Sequence, residues 1–432
     1  MNEEQKQQEN KDRELTHEEW INLLTDVFAK KHIPFLPTER AINGITFDFC
    51  SGVRVLFPPS LAGRWGIEVY DMDSEIAIQK AEVGAGDYFV SRKRYFVNYG
   101  IRLYNETGKL VWQYKLNLKG KKVFLRFPVE TLGDTIAWFK AVELFVEKHE
   151  CEAYIRIADY IRPLLEPCHP NMKFITNEEA EEIPFFAQYT LAIFHNDKDK
   201  DDTVADYRTV PLHHCSSYIL GVPISEEPPK ITISDTCKIP EKPYVAIGAQ
   251  ASGGAKLWHN PTGWERVVGY LKSKMYAVYD IDRDYMSGNS FFWNKIPSNA
   301  AEMTGNISLP ERARMLKNAD FFIGLGSGLS WLAWACGIPV VLISGFSEPW
   351  EEFKTPYRIN NPHVCHGCFN SVEFVFDHKD YFWCPKHKMT KRHWECSMAI
   401  TPASVIKVIE TIPVFKERIS EILKQQQTQI ER

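Results

Sequence analysis

Four cysteines within residues 365 to 396 constrain this chain more than any other feature. Cys365, Cys368, Cys384 and Cys396 follow the spacing C-x2-C-x15-C-x11-C. A Cys-x-x-Cys pair followed by two further cysteines lets four thiolates close a tetrahedron around one metal ion. Such a site is structural, because no coordination position stays open for a substrate. The alternative is a set of buried free thiols, since cysteine also behaves as a small hydrophobe. Spacing does not separate zinc from iron, because both accept tetrahedral sulfur ligation. His363, His366, His387 and His393 lie nearby, so a variant with three cysteines and one histidine is also compatible.

The remaining composition bounds the class. With no secretory signal ahead of them, the ten cysteines lead us to expect a reducing, cytoplasmic compartment, where clustered thiols bind metal instead of pairing. A net charge of −5 over 432 residues argues against a general nucleic-acid binder. From Phe321 to Ser347 there is no charged residue, long enough to span a bilayer. Five glycines and a proline interrupt it, which fits strand, Gly-rich loop, short helix and second strand inside an α/β domain, with no transmembrane segment.

The texture changes along the chain in five steps. Residues 1–44 hold a polar tail, with 1–14 expected to be disordered, and an amphipathic helix. That helix opens on the capping box Thr16-His17-Glu18-Glu19 and carries an apolar face of Trp20, Leu23, Leu24 and Phe28. Residues 45–120 are a β-rich, barrel-like module of short strands such as GITFDF, GVRVLF, GIEVYD and LVWQYKLNL. Residues 121–235 alternate strand and helix, as KVFLRFP, TLGDTIAWFKAVELFVEKH and AYIRIAD. A proline-rich linker over 223–243 leads into a second such lobe, 236–410, which includes the knuckle at 362–398; a C-terminal helix covers 411–432. Alternating strands and helices on both sides of a linker predict an α/β protein with two doubly wound lobes, ligands lying at the carboxyl ends of the strands.

Three places could carry chemistry. Thr131-Leu132-Gly133-Asp134 sits where a strand gives way to a helix. Asp134 there is either an N-cap satisfying free amides or a general base for an acceptor hydroxyl. Gly324-Leu325-Gly326-Ser327-Gly328 leads into a helix at Leu329, so helical amides and the Ser327 hydroxyl suit a diphosphate. The small-residue run Gln250 to Ala255 precedes Lys256-Leu257-Trp258, where one lysine can hold a phosphate as a mobile point charge or simply be solvated. Ser308-Leu309-Pro310-Glu311 forms a capping box and puts Arg312 in a helix's first turn. A cation is unfavourable at that end of the dipole, so an anionic partner would account for it.

Gly133-Asp134, Lys256-Leu257-Trp258 and the run from Gly326-Ser327-Gly328 to Gly337 and Pro339 together resemble the motifs of heptosyltransferase-like glycosyltransferases with the GT-B fold. The resemblance covers about residues 121 to 410. It departs from the lipopolysaccharide members, whose loop carries an acid before Ser or Thr and a following His; here Gly326 and Trp331 stand near those places. The four cysteines and the β-rich module narrow it to the bacterial autotransporter heptosyltransferases. That resemblance implies heptose transfer from ADP-heptose to serine hydroxyls of autotransporter adhesin passenger domains, with inversion. It implies Asp134 as base, donor contacts from Thr131, Leu132, Gly133, Lys256, Arg312, Ser327, Gly328 and Leu329, and one iron on Cys365, Cys368, Cys384 and Cys396, with zinc the alternative metal. It further implies a homo-oligomer, a ring of twelve. Two rivals are a GT-B enzyme acting on a lipopolysaccharide or lipid-linked acceptor, and a non-catalytic, metal-stabilised nucleotide-binding protein.

Overall fold

The computed structural model describes residues 16–290 and 292–430, with side chains through 425. The polar tail expected to be disordered lies outside the described residues. Contacts divide the chain into two compact units: one holds residues up to 126 with 146–156 and 173–190, the other 127–145, 157–172 and 191 onward.

The first unit is built on strands: β1 (Glu39–Arg40), β2 (Thr46–Cys50), β3 (Arg54–Leu56), β4 (Trp65–Asp71), β5 (Ala77–Val83), β6 (Tyr88–Val90), β7 (Tyr99–Tyr104), β8 (Leu110–Lys115), β9 (Lys122–Arg126), β10 (Glu152–Arg156), β11 (Met172–Phe174) and β12 (Ala187–Thr190). One sheet runs β11-β10-β9-β12-β2-β3-β6, with β1 on β2. Its β10, β9 and β12 are parallel and buried through their middles, as strands covered on both faces must be. The join with the N-terminal strands is also parallel: Ala187 opposes Phe49 and Gln188 opposes Cys50. The β-rich segment therefore does not stand apart. Part of it extends the α/β sheet, and β5-β4-β7-β8 form a second, antiparallel sheet open at both ends. It does not close into the barrel expected over 45–120, because β5 and β8 are edge strands whose outward residues, Lys80 and Glu82 among them, face water. Aromatic rings join the two sheets, with Phe47 4.7 Å from Tyr114 and 5.0 Å from Trp112.

Helices of eight or more residues are numbered in chain order. Helix α1 (His17–Lys30) has the predicted capping box, Glu19 N donating to Thr16 Oγ1 at 3.3 Å. Leu24 and Phe28 are buried, whereas Trp20 and Leu23 of the predicted apolar face are exposed. Helix α2 (Leu132–His149) starts in the second unit and ends in the first.

The second unit contains β13 (Tyr244–Ile247), β14 (Ala277–Asp280), β15 (Met286–Asn289), β16 (Phe292–Lys295), β17 (Ala301–Glu302), β18 (Phe322–Leu325), β19 (Val340–Ile343) and β20 (Arg358–Ile359). Six form a sheet in the order β17-β14-β13-β18-β19-β20, parallel throughout. Strands β15 and β16 make an antiparallel hairpin that the sequence pattern did not reveal. Its helices are α3 (Leu212–Leu220), α4 (Gly263–Ser273), α5 (Leu309–Asn318), α6 (Gly328–Ala335), α7 (Pro402–Ile409) and α8 (Pro413–Ile430). Val267, Val268 and Leu271 of α4, Val405 and Ile409 of α7, and Phe415 of α8 pack with β13 and β18 in one core. The charge-free stretch is β18, α6 and β19 as expected, and no described helix is long and apolar enough to cross a membrane. The proline-rich segment 223–243 carries neither helix nor strand.

Candidate active site and cysteine knuckle

All the side chains described here belong to the second unit. Helix α2 begins at Leu132 with Thr135 N bonded to Thr131 O at 3.2 Å. Asp134 is therefore the third helical residue and not the cap. Its Oδ2 accepts the Thr131 hydroxyl at 2.6 Å. Burial pushes the Asp134 carboxyl above its ordinary range; the Thr131 hydrogen bond, then Lys256, then His195 pull it back. A carboxylate held by one neutral hydroxyl and a distant cation retains the basicity a proton acceptor needs.

Helix α6 follows β18 and starts at Gly328, with Ser327 in extended conformation before it. The Ser327 hydroxyl makes no hydrogen bond among the described residues, so it stays available as a donor. The start of α6 meets the start of α2: a Cβ added at Gly328 would lie 2.9 Å from Leu132 Cβ and 3.3 Å from Gly133 N. Only glycine permits this approach. Two helix N-termini, each carrying about half a positive charge, thus converge beside Asp134. Leu329 turns back onto the loop after β13, its Cδ1 3.1 Å from the Cβ position at Gly248.

Lys256 closes a short helical turn, Gly254–Lys256, in that same loop. Its Nζ lies 6.0 Å from the centroid of the Phe346 ring. Among the described residues it has no carboxylate at ion-pair distance, yet its charge reaches Asp134. A cation without an ion-pair partner among the described residues, two helix N-termini and a free hydroxyl are the elements from which such sheets build anion sites.

Arg312 is placed differently from the expectation. It is buried, 3% exposed, with Nη1 donating to Ile281 O and Nη2 to Gly305 O at 2.6 Å. The anionic partner that offsets its position in the first turn of α5 is internal, Asp282 and Asp280. Asp282 Oδ2 in turn accepts Ala249 N at 2.6 Å and Gln250 N at 2.9 Å. Among the described residues Arg312 thus shares no hydrogen-bond partner with Asp134 or Lys256; it supports the acid that anchors the Lys256 loop.

Two residues at the site were missed by sequence reasoning. His195 senses Asp134, its Nδ1 is buried without a hydrogen-bond partner among the described residues, and burial and His378 lower its proton affinity. Glu351 is buried, accepts Asn370 Nδ2 at 2.6 Å, and is pushed well up by burial, then by Glu352, with Asp134 also raising it. A doubled acid just beyond a charge-free stretch was the one available signal for Glu351; a single histidine in a loop offered none for His195. Elsewhere His213 and His214 both reach Glu226, at 3.2 and 3.0 Å. These hydrogen bonds and the Lys354 ion pair at 3.2 Å account for that cluster without a metal.

The four knuckle cysteines lie within electrostatic reach of one another. All are free thiols. Burial pushes Cys368 up to about 12, reinforced by Cys365, Cys396 and Cys384, and pushes Cys396 up to about 12, reinforced by Cys384 and Cys365. Cys384 is buried and the other three are partly buried; four such thiols are a donor set that fits a thiolate-binding cation, whose charge would let them ionise. Cys365 also lies within 4.8 Å of His387 and Glu395 ligand atoms. Glu395 is already engaged, by Cys365 N at 3.0 Å and by Arg392 at 2.6 Å, which leaves His387 as the alternative ligand.

A wholly parallel sheet in the second unit and a sheet with a parallel α/β half in the first are the two sheets of a GT-B fold. The family described as "Glycosyltransferase TibC, N-terminal domain" matches residues 42–107, and "Glycosyltransferase family 9 (heptosyltransferase)" matches residues 197–375. The autotransporter heptosyltransferase Aah of Escherichia coli is 42% identical over 380 residues, 88% of this chain and 96% of its own length. The crystal structure of the iron-containing dodecameric glycosyltransferase TibC from enterotoxigenic E. coli aligns with a TM-score of 0.83 at 40% identity, over 88% of this chain and 98% of that one. TibC in complex with ADP-D-beta-D-heptose aligns with a TM-score of 0.83 at 38% identity, over 89% and 99%. The chain belongs to the autotransporter heptosyltransferases.

Proposed function

We propose that this chain transfers heptose from ADP-heptose to serine hydroxyls of an autotransporter adhesin passenger domain, in the cytoplasm. The observation that carries the reading is the desolvated Asp134 carboxyl at the meeting of the α2 and α6 N-termini, within electrostatic reach of Lys256. The diphosphate lies against Lys256, the Ser327 hydroxyl and the amides of Gly328 and Leu329. Thr131, Leu132 and Gly133 line the opposite side through the first turn of α2. Asp134 takes the proton of the serine hydroxyl as its oxygen forms a bond to the anomeric carbon. The bond from that carbon to the diphosphate breaks with its electron pair, ADP leaves on the far face, and configuration inverts. Lys256 and the helix dipoles stabilise the charge that develops on ADP. Arg312 acts through Asp282 on the loop that carries Lys256.

Cys365, Cys368, Cys384 and Cys396 would hold one iron ion, with zinc the alternative, as a brace with no part in the transfer. Assembly into a ring of twelve is expected from the relationship to TibC. Incubating the purified protein with ADP-heptose and a candidate passenger domain, followed by intact-mass analysis, tests the function. A ladder of heptose-sized additions that Asp134→Ala abolishes is the expected result. Tight ADP binding without addition would redirect the acceptor to a glycolipid.

A further inference from the structure

The knuckle and the Lys256 loop are held together by contacts that a remote staple would not make. Ser397, the residue after Cys396, donates its hydroxyl to Leu257 O and accepts His259 N at 2.7 Å. Trp394, two residues before Cys396, stacks on His259 with ring centroids 4.0 Å apart and planes 9° from parallel. Burial lowers His259 to about 4, so the ring is neutral and bonds Gly254 O through Nε2 at 2.7 Å. Gly254 N donates to Tyr381 O at 3.0 Å, three residues before Cys384. A Cβ at Gly254 would come within 2.4 Å of the Trp394 ring. Ala255, Phe346, Trp383, Cys384 and Trp394 share one buried cluster, and Phe346 is the ring that Lys256 faces. Residues on both sides of Lys256 are thus fastened to residues next to the thiols.

We propose that the segment carrying the cysteine knuckle positions Lys256, so that its contacts with the lysine loop set the affinity for a nucleoside diphosphate. Ser397, His259 and Trp394 are positioning residues in this scheme, acting through the lysine without touching the ligand. The proposal rests on the reading of Lys256 as a diphosphate contact.

The test uses full-length protein with its metal. Metal content is measured by elemental analysis and ADP affinity by calorimetry, for the parent, Ser397→Ala, Ser397→Thr, Lys256→Ala and the double variant Lys256→Ala/Ser397→Ala. Ser397→Ala should keep its metal and weaken ADP binding about tenfold, the loss of roughly one to two hydrogen bonds' worth of ordering. Ser397→Thr, which keeps the hydroxyl, should recover most of it. The double variant should bind no more weakly than Lys256→Ala alone, because Ser397 acts through that lysine; a general loss of structure would instead add to it. If Ser397→Ala loses metal or fails to fold, His259→Gln takes its place in the same cycle. Parent-like ADP binding in the positioning variants, with Lys256→Ala weakened, overturns the proposal. Parent-like binding in Lys256→Ala overturns the reading beneath it.

Discussion

Asp48 in the first unit is fully buried and Asp134 in the second is partly buried; desolvation pushes both carboxyls upward, and the molecule treats them in opposite ways. Asp48 sits on β2, fully buried, opposite Arg54 on β3. The guanidinium grips it with two bonds, Nη2 to Oδ2 at 2.5 Å and Nε to Oδ1 at 2.7 Å, and Cys50 N adds a third at 3.1 Å. Arg54 is satisfied in turn by Pro34 O at 2.8 Å and by the Phe28 ring, 4.6 Å from its carbon. Burial alone pushes Asp48 upward, but the bidentate geometry identifies an ion pair with its lone pairs used. Among the described residues Asp134 has one neutral hydroxyl at 2.6 Å and no cation in contact. What separates the two acids most sharply is the number of partners each one has.

The sharpest way to break the comparison is to neutralise each acid. Asp134→Asn should reduce transfer by about 10²–10⁴-fold, the usual worth of a general base, while the melting temperature stays the same or rises. A carboxyl raised above its unfolded value binds more protons folded than unfolded. Ionising Asp134 therefore detracts from stability as pH rises through that window, and the amide removes that cost. Equal melting losses in Asp134→Asn and Asp48→Asn would erase the contrast. Asp48→Asn should cost about 3–5 kcal/mol in urea unfolding, because it strands the buried Arg54 charge, with kcat of the folded fraction unchanged. Replacing both, as Asp48→Leu/Arg54→Met, should restore much of that loss.

Gly328→Ala is a smaller perturbation. Its methyl would sit 2.9 Å from Leu132 Cβ, and prising the two helix starts apart should lower transfer by about tenfold with little change in stability. The mildest effect is on pH dependence. The base form of Asp134 is lost as pH falls through its raised value, so the acid limb of kcat/KM should lie above the ordinary carboxylate range. Since Lys256 pulls that value down, Lys256→Met should move the limb to higher pH in a stopped-assay profile, and an unmoved limb would separate the two residues.

The parts of this molecule that announce themselves in sequence are those whose physics is local. The capping boxes at Thr16 and Ser308, the Thr401 cap accepting Ser404 N at 3.2 Å, and β18-α6-β19 all follow from short-range patterns and are present. Asp134, Lys256 and the glycine approach were readable as a strand-to-helix turn, a lone lysine and a Gly-rich run. Arg312 misled because its anionic partners, Asp280 and Asp282, lie about 30 residues away in sequence, and nothing local distinguishes an internal anion from a ligand. His195 and Glu351 were hidden for the same reason, since their roles come from tertiary proximity to Asp134. The continuity of the N-terminal strands with the α/β sheet was also non-local, and alternation alone reads as a separate module.

That continuity has a consequence for synthesis. Strand β2 completes its parallel pairing only with β12, about 140 residues further along the chain. On a ribosome that makes around 5–20 residues per second, the early strands must wait several seconds or more with the β2 edge uncovered. An open parallel edge is a template for the wrong neighbour. The N-terminal region is therefore not a piece that can be cut out, transplanted or grown by itself at its family boundary of 42–107. Its native partner is written near the middle of the chain.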